Sequence, residues 1–295
     1  MKKAYLFPGQ GSQAVGMGQS HYQANDRFRE LVDHACEVLD FDIKKVMFEG
    51  PAEELKQTRN TQPAIFLHSV ALFATLGQKP DMVAGHSLGE FSAMAAANAI
   101  SFDDALRIVR KRGELMQQAG EDQPGTMAAI IGMEDETVEE VCKAAKNEIG
   151  KEVVPANYNS PGQLVISGDV EAVQKAVDLA KERGCKLAKL LPVSGAFHSA
   201  LMESAYEGLK EELSNVEINQ PDCPVFSNYT AVPTESPETL RENVLKQLLN
   251  PVRWRQTMEN MFEAGATKYI EVGPGKVLQG LAKRTLKQIE TEGYQ

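Results

Sequence analysis

No apolar run in this 295-residue sequence approaches the roughly 20 residues that a membrane-crossing helix needs. The opening MKKAYLFPGQ leads into a short strand pattern rather than a signal peptide with its cleavage site. A soluble cytoplasmic protein is therefore expected, with no membrane partner. Cysteine is scarce: Cys36, Cys142, Cys185 and Cys223 stand far apart with no C-x-x-C pair, which argues against a disulfide framework or a zinc site and suggests buried thiols. A basic surplus is also missing. The formal charge of −10 has the wrong sign for a nucleic-acid binder, so an acidic partner would need a local basic patch. Internal repeats and low-complexity segments are absent. What is present is an apolar content of 42%, which suits one large domain or a large domain carrying a small one.

Hydrophobic periodicity divides the chain in three. Residues 3–7 read as a buried strand, 26–39 and 62–76 as apolar helices, and DMVAG as a strand entering a turn and the helix FSAMAAANA. After EDQPG the rhythm changes. TMAAII, EVVPAN, QLVIS and CKLAKLL read as strands, with helices at 135–147 and 169–183. That βαββαβ order is the ferredoxin-like signature. The expected fold is thus α/β: a hydrolase-like large domain with a parallel central sheet, formed by 1–124 and 195–295, and a ferredoxin-like inserted domain at 125–194. The last part resumes with helices near 199–213, 239–248 and 255–264 and strands at CPVFSN and KYIEV.

Gly85-His86-Ser87-Leu88-Gly89 fits G-x-S-x-G, a serine on a sharp strand-to-helix turn. There its hydroxyl would stand clear of the backbone, and the helix N-terminus would favour an oxyanion. The five residues alone serve equally well as a glycine-rich packing turn. Of five histidines, His198 in PVSGAFHSALM lies where the insertion returns the chain to the large domain, and it is the candidate base. In SFDDALRIVRKRGELMQQ, Ala105, Ile108, Val109 and Met116 form an inward stripe with Arg112 in its middle, while Arg107, Arg110 and Lys111 face solvent. A guanidinium aimed inward needs an anionic partner. An internal carboxylate or a substrate carboxylate would serve, the latter held in a bidentate clamp. Gly9, Gly11 and Ala14 formally match a dinucleotide fingerprint, but Pro8 interrupts the turn and no acidic strand end follows about 20 residues on. A backbone N–H of Gln10 or a neighbour, offered to an oxyanion, is the better use of that loop.

These residues sit in a series of motifs, FPGQGSQ (7–13), GHSLGE (85–90), KRGELMQ (111–117), NSPGQLVISG (159–168), GAFHSALM (195–202), NPVRW (250–254) and EVGPG (271–275). Together they resemble, nearly end to end, the malonyl-CoA:acyl carrier protein transacylases. The resemblance implies that Ser87 is acylated, His198 activates it, and Arg112 binds the malonyl carboxylate. It also implies an oxyanion hole from the N–H groups of Gln10 and Leu88, a main-chain carbonyl at Arg253 orienting His198, and Phe197 crowding a substituted malonyl α-carbon. The implied partners are malonyl-CoA, CoA and an acidic acyl carrier protein, with no metal or other cofactor; the chain itself is expected to act as a monomer. Basic docking candidates are Arg107, Arg110 and Lys111; Lys181, Arg183, Lys186 and Lys189; and Lys276, Lys283 and Arg284. The rivals are a serine hydrolase, which would want an acid behind His198, a non-catalytic carrier-binding relative, and a transacylase of a polyketide pathway.

Overall fold

In the computed structural model, which describes residues 2–295, the strands in chain order are β1 (Lys2–Phe7), β2 (Met82–Gly85), β3 (Gly125–Ile131), β4 (Val153–Ser160), β5 (Gln163–Asp169), β6 (Leu187–Leu190), β7 (Val225–Phe226), β8 (Pro233–Thr234), β9 (Ala266–Val272) and β10 (Glu290–Tyr294). They make two sheets. The larger runs β10-β9-β1-β2-β7-β8; its first five strands are parallel, and β8 returns antiparallel to β7. Helices cover both faces, which is why KAYLF and MVAG read as continuous apolar runs instead of alternating ones. Tyr5, Phe7 and Val83 face one core with helices Thr58–Leu76, Gly89–Ala96 and Phe102–Asp122. Ala4, Leu6 and Ala84 face a second with Trp254–Glu263 and Val277–Thr285.

The smaller sheet is antiparallel, in the order β4-β5-β3-β6. Helices Asp135–Ile149 and Val170–Glu182 close a third core against it. It is tied to the large sheet's loops by main-chain bonds: the Tyr158 N–H donates to Val252 O and the Val252 N–H to Ala156 O, both at 2.9 Å. Arg255 Nη1 pairs with Asp135 Oδ2 across the same seam at 2.8 Å. No helix among the described residues is long and apolar enough to cross a membrane.

The sequence reading is corrected in several places. Helices Gln19–Ala24, Ile43–Glu49 and Ala52–Leu55, the C-terminal helix and β10 were not anticipated. The helix expected from 199 starts as a 3-10 turn at Ala200–Met202 before Glu203–Ser214. All four thiols are free, but only Cys142 and Cys223 are buried; Cys36 and Cys185 are partly exposed. Arg110 is not a solvent residue. Pro63, inside helix Thr58–Leu76, has no N–H for the Arg59 carbonyl, and Arg110 Nη1 fills that place at 3.1 Å while its Nε pairs with Glu114 at 2.7 Å.

The two helices meet closely at Gly113, where a Cβ would lie 2.7 Å from the Thr58 carbonyl oxygen. That contact sets how far the neighbouring Arg112 reaches. Gly113→Ala is expected to cost about 1–3 kcal/mol through overpacking, read as a lowered thermal midpoint; an unchanged midpoint would show that the helices part freely.

Candidate active site

Strand β2 ends at Gly85 and a helix begins at Gly89, so Ser87 occupies the turn between them. Its φ of 53° is left-handed, a conformation non-glycine residues rarely adopt. The glycines around it are forced by contact. A Cβ on Gly85 would lie 1.8 Å from Gly89 O, one on Gly89 2.1 Å from Phe7 O, and one on Gly9 2.3 Å from His86 O. Asn228 clips the turn from outside: the Ser87 N–H donates to its Oδ1 at 2.6 Å, and its Nδ2 donates to Gly85 O at 2.7 Å. The Ser87 N–H is therefore already used.

His198, also left-handed at φ 59° and buried, places Nε2 2.8 Å from Ser87 Oγ and Nδ1 2.8 Å from the Gln247 carbonyl oxygen. A carbonyl only accepts, so Nδ1 carries the proton and Nε2 is the bare acceptor for the serine O–H. Burial, with the Arg112 charge beside it, pushes the imidazole down to about 3, which keeps that tautomer neutral. This corrects the expectation for Arg253. Its carbonyl opens helix Trp254–Glu263 by accepting from the Thr257 N–H and Oγ1, both at 2.9 Å, and its side chain is exposed. The orienting carbonyl is that of Gln247, six residues earlier.

Arg112 is 1% exposed and forms no ion pair among the described residues. Its partners are neutral: Nη1 donates to Gln62 Oε1 at 2.8 Å, and Nη2 donates to Gln247 Oε1 at 2.9 Å and to Ser87 Oγ at 3.3 Å. Nε has no acceptor. Burial pulls the guanidinium down to about 10, with Glu90 acting in the opposite direction. The internal carboxylate that the sequence left open is thus not in contact, and the cation sits beside the serine with amide dipoles around it.

The loop carrying Gln10 adjoins the serine turn, since the His86 N–H donates to Phe7 O at 2.9 Å. Neither the Gln10 nor the Leu88 N–H is engaged by another group among the described residues, and both remain open to an oxyanion. The Gln10 side chain donates to Thr58 Oγ1 at 3.3 Å. Phe197 is buried beside His198 and reaches Gly195, whose Cβ would meet its ring at 3.2 Å. His86 turns away to Asn159 Oδ1, 2.8 Å from its Nε2, on β4 of the small sheet.

A model of the acyl transferase domain matches residues 4–294. The chain belongs to the acyl transferase family. This acyltransferase is 46% identical over 293 residues to the malonyl CoA-acyl carrier protein transacylase of Bacillus subtilis, covering 98% of this chain and 92% of the relative. A solved acyl carrier protein S-malonyltransferase from Vibrio cholerae superposes with TM-score 0.95 at 44% identity, covering 100% of this chain and 97% of that one. A malonyl-transacylase solved in complex with a type II PKS acyl-carrier protein also gives 0.95, at 40% identity, covering 100% and 96%.

Four residues of the acyltransferase site escaped the sequence reading: Gln62, Gln247, Asn228 and Glu90. All are buried. Polar residues at inward positions of apolar segments, as in TQPAIFLHS and VLKQLLNPV, were the available signal. The neutral base yields a prediction. Because burial lowers the His198 pKa, the base form persists well below the ordinary histidine value, so Ser87 acylation at saturating donor should stay level from about pH 7.5 to about pH 5.5. Single-turnover quench measurements check this; half-loss near the unperturbed value of 6.5 would contradict the environment described for His198.

Proposed function

We propose that this acyltransferase moves a malonyl group from malonyl-CoA to the phosphopantetheine thiol of an acyl carrier protein through a malonyl-Ser87 ester. The observation that carries the reading is a buried arginine with no carboxylate partner among the described residues, hydrogen-bonded to the hydroxyl that His198 contacts. Such a guanidinium is completed by an acyl donor bearing a free carboxylate, which malonyl-CoA has and acetyl-CoA lacks. In this scheme His198 Nε2 takes the Ser87 proton as Oγ attacks the thioester carbonyl. The Gln10 and Leu88 N–H groups stabilise the tetrahedral oxyanion. The intermediate collapses, CoA leaves with the proton from His198, and the carrier thiol reverses the sequence on the ester. The scheme assigns no step to a metal or redox cofactor.

A hydrolase reading is disfavoured because the group behind His198 is a carbonyl, not a carboxylate. The two-sheet arrangement supports a hydrolase-like catalytic domain, 1–124 with 195–295, and the strand order of the smaller sheet supports a ferredoxin-like insertion at 125–194. A cytoplasmic site of action goes with CoA thioester donors. For the carrier, Lys186, Lys189, Lys276 and Lys283 are exposed and enter no ion pair among the described residues, whereas Arg110, Lys111 and Arg183 are paired with Glu114, Glu212 and Glu140. The unpaired set is the better match to an acidic partner.

Intact-protein mass spectrometry with malonyl-CoA is expected to show a malonyl-sized increment on the native chain and none on Ser87→Ala. Added carrier protein should discharge it faster than water does. Clearance by water alone would favour the hydrolase. Arg112→Ala should lower kcat/KM for malonyl-CoA by about 2–5 kcal/mol, roughly 30- to 5,000-fold, and lose less with acetyl-CoA; equal losses would make Arg112 structural. Replacing Phe197 by a smaller residue should admit methylmalonyl-CoA, and continued exclusion would count against its steric role.

A further inference from the structure

Glu90 is fully buried one helical turn beyond Ser87, and the transfer scheme gives it no role. Its Oε2 accepts from Gln247 Nε2 at 2.7 Å and from the Asn228 N–H at 3.2 Å, while Oε1 has no hydrogen-bond partner among the described residues. Gln247 is the link to the cation: the amide whose nitrogen bonds Glu90 turns its oxygen to Arg112 Nη2. The same nitrogen donates to Ser87 O at 2.9 Å, and the Gln247 main-chain carbonyl holds His198. The titratable groups joined to Glu90 are thus Arg112 on helix Phe102–Asp122 and His198 on the returning loop, with His86 on the serine turn itself; Ser227, Asn228 and Gln247 add only neutral dipoles.

We infer that Glu90 is the resting counter-charge of Arg112, and that it takes up one proton from solvent when the malonyl carboxylate arrives and returns it when the malonyl group leaves on the carrier thiol. The inference rests on the transfer reading given above. Its basis is charge balance among groups held out of water, since Glu90, Gln247 and Arg112 are all buried. With Arg112 cationic, an ionised Glu90 makes the empty site neutral. A second carboxylate on Arg112 would leave a net negative charge around these buried groups, which is costly. Protonating Glu90 restores neutrality, and an acid is a better tenant than a carboxylate for the bare Oε1 position. Burial already raises this carboxyl to about 7 against Gln247, Asn228, Ser227 and the Arg112 charge, all of which lower it. Glu90 is accordingly a positioning and charge-balancing residue: it orients the Gln247 amide and touches no reacting atom.

The sign of the pH effect follows by linkage. Where Glu90 is ionised in the free enzyme, malonyl binding must include proton uptake, so the malonyl-CoA KM rises with pH above about 7, by up to about tenfold per unit. Acetyl-CoA, without a free carboxylate, shows no such rise.

Calorimetric titration of Ser87→Ala with malonyl-CoA at about pH 8, in Tris and in phosphate, counts the protons through the two buffer ionisation heats; acetyl-CoA and free CoA correct for the phosphates they share. The expected excess for malonyl-CoA is between about half and one proton per molecule bound, and it should vanish when Glu90→Gln is added. The isosteric amide also flattens the KM profile. Equal uptake for malonyl- and acetyl-CoA, or an excess that survives Glu90→Gln, overturns the inference. Should Glu90→Gln not fold, the malonyl-minus-acetyl difference in Ser87→Ala decides alone, and a zero difference is contrary. Failure of malonyl-CoA to acylate the native enzyme would instead reject the transfer reading itself.

Discussion

Removing a guanidinium from water costs several kcal/mol unless polar groups replace its hydration, and here Arg112 is surrounded by two glutamine side chains and a serine hydroxyl, not by an acid. Amide oxygens solvate a cation without neutralising it. Much else in the site is arranged around that choice. Gln247 has to be buried and fixed, which Glu90 and the Ser87 carbonyl accomplish through its nitrogen. Once fixed, its backbone carbonyl sets the His198 tautomer. Ser87, His198 and Arg112 are therefore positioned through the hydrogen bonds of one side chain and its own peptide.

A second constraint is conformational. Ser87 and His198 both adopt left-handed backbone angles, each costing on the order of 1–3 kcal/mol. The surroundings over-determine the serine turn. Gly9, Gly85 and Gly89 let the first loop and the serine turn approach within contact distance, and Asn228 closes the turn with two bonds. The smaller sheet contributes support as well: β4 reaches His86 through Asn159 and pairs with Val252 in the NPVRW loop.

Elements with strong periodicity were legible in the sequence. β1, β2 and helix Phe102–Asp122 all lie where apolar spacing puts them, and Arg112 could be assigned inward because a 3.6-residue period leaves it no other face. β10 was not legible, since ETEGY carries no apolar alternation and pairs only at the sheet edge; the C-terminal helix, by contrast, buries Leu278, Leu281 and Ala282 at helical spacing and was simply missed. Arg253 was misassigned for a geometric reason. Motif spacing locates a loop, whereas the direction of a particular carbonyl depends on where the next helix starts, and that helix captures the Arg253 oxygen. Gln62, Asn228 and Gln247 were missed because an amide is silent until its neighbours are known. Nothing in their local sequence says that the five hydrogen bonds they make to Arg112 and to the serine turn converge there.

The central claim, that Arg112 is held by neutral amides in readiness for a carboxylate, is tested most directly by a crystal structure of the enzyme acylated on Ser87 with a malonyl group. The account predicts the malonyl carboxylate in bidentate contact with the Arg112 guanidinium, with at least one of the Gln62 and Gln247 amide oxygens displaced from it. A malonyl carboxylate directed to solvent, with both amides still on Arg112 as now, would contradict it.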